Sequence, residues 1–249
     1  MQNLDARKMG VNAIKLVPAM GYALYLGGAA SAAYIILLGA TRGTMQEPKA
    51  YKRSTRLLKP EQARNLLAAF DHAAVIGNPL NIHITVHWSA TADMAARIPD
   101  RIQLLIERMR HWLQRRSIPV CHVWVQEPSA RRHENGDVPH FHMLVYVPHL
   151  WRVTFDAMLP AWVGGLGADN AVRIEGVQAQ HWRWRNYLAK GVNPRTRDKE
   201  LQQIAQHKRA ANARGFVEGK RCGFSQNTLG PAARARWQRQ QAQQQLKAA

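Results

Sequence analysis

Seven stretches of patterned hydrophobicity follow one another between residues 81 and 191. In "NIHITVHW", Ile82, Ile84, Val86 and Trp88 fall on one side and His83, Thr85 and His87 on the other, which is the period of a half-buried strand. "PDRIQLLIERMRHWLQRR" changes to helical spacing: Pro99 suits a first helical position, and Ile102, Leu105, Ile106, Met109, Trp112 and Leu113 form one apolar stripe. "VCHVWVQE" and "PHFHMLVYVP" read as two further strands. The polar "PSARRHENGDVP" lies between them, and its Asn135-Gly136 pair signals a turn, so the two strands are expected to form an antiparallel hairpin. "LWRVTFDAMLPAWVGG" then predicts a short helix, "AVRIEGV" a strand, and "QAQHWRWRNYLAKG" a helix stopped by Gly191. Upstream, "KPEQARNLLAAFDHAAV" predicts one more helix after Pro60. The order βαββαβα predicts an α+β fold, a central antiparallel sheet with helices on one side.

The ends of the chain differ from this middle. Residues 16 to 41 carry no charge and are long enough to cross a hydrocarbon core if helical, although Pro18 and four glycines dilute them. Basic residues flank both ends of the stretch, so charge asymmetry assigns no orientation. Residues 1–50 are therefore expected to form an apolar N-terminal segment, with three readings open: membrane contact through 16–41, a helix packed on the body, or an extension that the rest does not need. Ordinary soluble composition begins at Tyr51, which sets a domain over 51–200 and a basic C-terminal segment over 201–249. Cys121 and Cys222 show neither metal-ligand spacing nor a disulfide framework, and the expected compartment is the reducing cytoplasm.

Charge changes the picture of partners. With 35 Lys and Arg against 16 Asp and Glu, the formal net charge is +19, and a polyanion is the expected partner. Residues 181 to 249 hold fifteen basic and three acidic side chains, a net +12 in the last quarter. Trp182, Trp184, Phe216, Phe224 and Trp237 are interleaved with them and could stack on unpaired bases, so a single-stranded nucleic acid is favoured.

Candidate chemistry lies in the third strand and the last helix. Alternation puts His140 and His142 on the same face, roughly 7 Å apart by the strand rise. Imidazoles suit transition metals and tolerate magnesium-type sites when a carboxylate and water complete the shell. Glu127, at the end of the preceding strand, is the nearest candidate carboxylate, with Glu134 and Asp137 in the turn as further candidates. In the helix, Arg183, Tyr187 and Lys190 share one face. Cations beside a phenol favour its ionised, nucleophilic form.

The strand "PHFHMLVYVP", preceded by "VQE" and followed by "NYLAKG", resembles the HUH endonucleases, in which U is a bulky apolar residue. A tyrosine downstream of the histidines, with a YxxK spacing, is similar to the rolling-circle replication initiators of plasmids and phages rather than to conjugative relaxases. "NIHITVHW" is similar to the first strand of that domain and "GKRCGFSQN" to a basic segment after the tyrosine; the resemblance covers roughly residues 80 to 228. It implies an RRM-like palm fold, His140, His142 and Glu127 as ligands of Mg2+ or Mn2+, Tyr187 as nucleophile, and Lys190 as its helper. Thr85 and His87 would border the DNA, as would Lys220 and Arg221 of the basic segment; Arg183 is added on helical geometry alone.

The implied activity is that of a site-specific nickase and ligase acting on single-stranded origin DNA through a 5′-phosphotyrosine intermediate. No GxxxxGK[ST] occurs, so a separate helicase and the host replication machinery would unwind and copy the duplex. Two departures stand out: the Glu127 to His140 interval is 13 residues, and a single tyrosine stands at the motif where some initiators have two. Alternative readings are a transposase-like HUH strand-transfer enzyme, a non-catalytic binder of single-stranded nucleic acid, and a membrane-associated basic protein.

Overall fold

Strand β2 (Ile82–His87) is the place to start, because both of its faces are buried. The computed structural model describes residues 54–91, 96–128, 139–164, 171–177, 182–206 and 215–248. Within them, β2 pairs antiparallel with β4 (His140–Val145) on one side and β5 (Val172–Gly176) on the other. Strand β3 (His122–Glu127) pairs antiparallel with β4 and with β7 (Cys222–Phe224), giving a five-stranded sheet in the order β5-β2-β4-β3-β7. The expected neighbours β3 and β4 are thus adjacent and antiparallel; the Asn135-Gly136 turn lies outside the described residues. A separate two-stranded ribbon joins β1 (Ser54–Thr55) to β6 (Val217–Glu218).

Helices cover both faces of the sheet, which corrects the expectation of helices on one side. On the first face, α2 (Ile98–Gln114) buries Ile102, Leu105, Met109, Trp112 and Leu113. With α3 (Arg152–Val163) it packs against Ile82, Ile84, Val86, Trp124, Phe141, Met143 and Val145. On the second face, α1 (Pro60–Val75) presents Ala63, Leu66, Leu67, Phe70 and Ala73 at helical spacing to Val123, Val125 and Leu144. Leu188 and Ala189 of α4 (Trp182–Ala189) and Leu201, Ile204 and Ala205 of α5 (Lys199–Gln206) complete that core. This second face is the one that carries the histidines. It is largely buried although it is polar, with His87 and His140 half-buried at its end, so β2 is not the strand with one wet face that its alternation predicts.

The basic stretch after Asn193 also holds more structure than its composition suggests. Besides α5 and β7 it contains a four-residue helix α6 (Gln226–Leu229) and the long polar helix α7 (Pro231–Ala248). The first turns of α7 are tied to α1, where Arg234 donates to Asn65 Oδ1 and Trp237 meets His72 edge-on at 5.6 Å. Among the described residues no helix is long and apolar enough to cross a membrane; the uncharged stretch 16–41 lies outside them.

Strand β7 joins the sheet where Gly223 stands opposite Trp124, and the indole folds over the bare glycine. A Cβ at Gly223 would come within 2.7–2.8 Å of the Trp124 ring, so one of the two must move. Gly223→Ala is expected to cost about 1–3 kcal/mol through overpacking. A lowered urea midpoint with an unchanged m-value would show it; an unshifted midpoint would mean that the edge strand yields freely.

Candidate functional site

The polar face of the three central strands is assembled by register. His142 of β4 stands beside Thr85 of β2 and Val125 of β3, while His140 stands beside His87 and Glu127. One residue of slip in any strand would send its polar side chains into the apolar core on the opposite face. Thr85 Oγ1 lies 3.1 Å from His142 Nδ1, and Tyr187 of α4 brings its hydroxyl 3.1 Å from His142 Nε2. His142 thus meets a hydroxyl at each ring nitrogen, and either hydroxyl can donate or accept.

Glu127 closes the other side. Its Oε2 is 2.8 Å from Lys190 Nζ and 3.6 Å from His142 Nε2. The Lys190 ammonium also sits over the Tyr187 ring, 3.5 Å from its centroid. Glu127 and Lys190 are each 8% exposed and His142 6%, so the pair is held largely out of water. Burial pushes the Glu127 carboxyl up, but the hydrogen bond and charge of His142, with those of Lys190, outweigh it and hold the group below the usual carboxylate range. Its second oxygen, Oε1, is buried with no hydrogen-bond partner among the described residues.

Helix α4 is what carries Tyr187 to this place, and it is fixed at several points. Arg185 donates through Nε to Asp71 of α1 at 2.9 and 3.1 Å and pairs with Glu200 of α5. Leu188 and Ala189 anchor the same helix in the core. Trp184 then lies on the ring of His83 at 4.2 Å between centroids, and His83 is stacked on His142 at 5.4 Å with 14° between planes. His83 Nδ1 meets Glu175 Oε2 of β5 at 3.4 Å. The rings of His87 and His140 pack edge-on at 4.5 Å.

Four histidines on one sheet face repel one another's protons. His83 is pushed down to about 4 by burial and by His142, against the opposing pull of Glu175. His140 is pushed down to about 4 by burial, His87 and His142. His87 is lowered by burial, His142 and Arg173. Neutral imidazoles keep a lone pair available, which is the form a metal or a hydroxyl donor requires.

The structure therefore gathers Glu127, His140, His142, Tyr187, Lys190, Thr85 and His87 on one face. Arg183 is exposed one turn before Tyr187. The remaining two lie elsewhere. Arg221 is 1% exposed and donates to the carbonyls of Thr55 and Gly215, so its guanidinium serves the packing of the loop. Lys220 is exposed, and its carbonyl accepts from Gln126 Nε2. Lys220 lines a cavity of about 1210 Å³ at the β7 edge of the sheet, between residues of α2 such as Arg110 and of α1 such as Asn65, and that cavity holds none of the gathered residues. Glu134 and Asp137 lie outside the described residues.

Sequence reasoning passed over His83 and Glu175, and it expected Trp184 to stack on unpaired bases, whereas the indole lies on His83. The signal for His83 was present in the alternation, since it shares a face with Thr85 and His87. Glu175 and Trp184 become neighbours of that face only through the pairing of β5 and the docking of α4, which no local pattern encodes.

The depressed histidines carry a pH consequence with a definite sign. Their folded-state values lie below the unfolded value of 6.5, so the unfolded chain binds more protons between these limits. Their contribution to stability is complete above about pH 6.5 and is lost as pH falls toward 4. Imidazole resonances of metal-free protein should show His83 and His140 titrating near pH 4, with the urea midpoint falling between pH 7 and 4.5. Midpoints near 6.5 for both rings would contradict the buried, mutually repelling arrangement.

No protein family, curated protein sequence or solved structure matches the chain, so a reading of this site stands on its own geometry.

Proposed function

We propose that the chain is a single-stranded DNA nickase and ligase of the HUH type, acting as a rolling-circle replication initiator with Tyr187 as nucleophile. The observation that carries this reading is the convergence of Tyr187 and His142 at 3.1 Å, beside a buried Glu127–Lys190 pair. A tyrosine packed only for burial has no need of an imidazole, a carboxylate and an ammonium around it; each must be desolvated and then satisfied.

The fit to a divalent cation is one of donor chemistry. His140 and His142 offer imidazole nitrogens on one face, and Glu127 Oε1 is a carboxylate oxygen with no partner among the described residues. No group of three or more His, Cys, Asp or Glu side chains there is closed enough to hold a metal by itself; Lys190 stands against the carboxylate, and His140 leans on His87. His140, His142 and Glu127 would hold Mg2+ or Mn2+, which would supply Lewis-acid polarisation of a phosphoryl oxygen.

The chain's own residues account for the rest. A cation beside Tyr187, Lys190 over its ring in the metal-free protein or a divalent ion that would take that place, favours the phenolate and makes the oxygen a better nucleophile. Thr85 holds the orientation of the His142 ring, and Arg185 holds the helix that aims the phenol. Attack of the Tyr187 oxygen, its proton lost to solvent, on phosphorus would break the bond to the 3′-oxygen, which takes a proton from water and leaves as a hydroxyl. The 5′-phosphotyrosine formed keeps the ester energy, so rejoining requires no nucleotide. The enclosed site suits an unpaired, flexible backbone better than a duplex, and the basic surface supplies attraction that weakens with salt.

The test uses a random-sequence single-stranded DNA library, with Mn2+, and a denaturing gel to capture protein–DNA adducts for sequencing. The expected outcome is an adduct that maps to Tyr187, vanishes with a chelator and is absent in Tyr187→Phe. A non-catalytic binder would retain the library with equal affinity in both proteins and give no adduct in either. An adduct that persists in Tyr187→Phe would remove this tyrosine from the nucleophile's role.

A further inference from the structure

We infer that Lys190 is the resident counter-cation of Glu127, and that a divalent cation takes this corner by displacing it, so that Lys190 sets the affinity of the site for metal. The inference rests on the reading above that this face binds a divalent cation. It extends that reading by giving Lys190 a positioning role that depends on whether metal is present.

Four contacts form a closed circuit. Lys190 Nζ is 2.8 Å from Glu127 Oε2; the same oxygen is 3.6 Å from His142 Nε2; that nitrogen is 3.1 Å from the Tyr187 hydroxyl; and the Tyr187 ring lies 3.5 Å under the ammonium. A carboxylate that is 8% exposed cannot be left without a counter-charge, because an unpaired buried ion is strongly destabilising. In metal-free protein the ammonium supplies that charge. A divalent cation held by Glu127 and the imidazoles would supply it twice over, and a buried ammonium at contact distance would then be repelled at low dielectric.

The chain gives the ammonium somewhere to go. Lys190 directly follows α4, with its backbone N–H bonded to the Tyr187 carbonyl at 3.3 Å, so its main chain stays in place. Its four-carbon stem is flexible, and a compact ammonium is not committed to one planar geometry as a guanidinium is. An anionic phosphate brought to Tyr187 is the natural new partner. Metal and a single strand should therefore favour each other's binding, since one releases the ammonium and the other receives it, and the coupling must be reciprocal.

Mn2+ binding to the full chain, followed by the electron paramagnetic resonance of free Mn2+, tests this. Lys190→Met is expected to bind Mn2+ at least ten-fold more tightly than wild type. A short single-stranded oligonucleotide should tighten Mn2+ binding to wild type by a several-fold larger factor than to Lys190→Met, in which only the direct attraction between phosphate and metal remains. In a Glu127→Gln background the lysine substitution should have no effect on Mn2+. A second measurement needs no substitution: Mg2+ should raise the acylation rate of Lys190 several-fold relative to the other lysines, read by mass spectrometry of the peptide. If wild type binds Mn2+ but Lys190→Met binds it equally or more weakly, or if bound Mg2+ leaves Lys190 acylation unchanged, Lys190 is not the displaced cation. If wild type binds no Mn2+ even with the oligonucleotide, the metal reading itself falls, and this inference with it.

Discussion

The fold turns on the burial of a polar sheet face. The central strands β2, β4 and β3 present His83, Thr85, His87, His140, His142 and Glu127 on one side, and α4 is laid over part of that side rather than water. Covering such a face is favourable only if its groups find partners, since each buried polar group left unmatched costs on the order of 1–3 kcal/mol. Helix α4 provides those partners from every third position: an indole for His83, a phenol for His142, and an ammonium for Glu127 just beyond its last turn. The same residues that make the face chemically capable thus allow it to be sealed. Structure and proposed chemistry are one solution to one problem of desolvation.

That dual use explains how the sequence could and could not be read. Periodicity identified all seven elements from β2 to α4, because each carries an apolar stripe on at least one face. It also put His140 and His142 together and Tyr187 with Lys190, since both relations are local to a strand or a helix. The contact between the two groups is not local. Tyr187 and His142 are 45 residues apart in the chain, and only the docking of α4 on the sheet joins them at 3.1 Å. The resemblance to a known motif supplied that link in advance; periodicity alone gives no means of finding it.

The misreadings have a related cause. Alternation of apolar and polar residues normally marks a strand with one wet face. In β2 the polar residues are histidine and threonine, which can be buried when hydrogen-bonded or stacked, so the pattern of a half-exposed strand belongs here to a largely buried one. Strand β7 escaped because three residues with a central glycine have too little pattern to register; Gly223 is there to make room for Trp124. Arg221 was expected beside the DNA because its basic segment resembles one in the family, yet its neighbours Thr55 and Gly215 leave two carbonyls facing inward that require a donor. Counting charge along a sequence cannot tell a cation that meets solvent from one that completes a loop.

The distribution of charge separates attraction from chemistry. The chain carries +19 overall, yet the innermost part of the site joins one carboxylate to one ammonium, beside His83 and His140 that burial holds mainly neutral. Exposed cations such as Arg183 and Lys220 act over a range limited by salt, about 8–10 Å at ordinary ionic strength. The Glu127–Lys190 pair is buried and far less screened. Salt should therefore govern how readily a polyanion arrives while leaving the internal ion pair largely intact. On the proposed function, a protein built in this way would meet many nucleic-acid strands through its surface and reserve the contact with Tyr187 for a backbone flexible enough to enter.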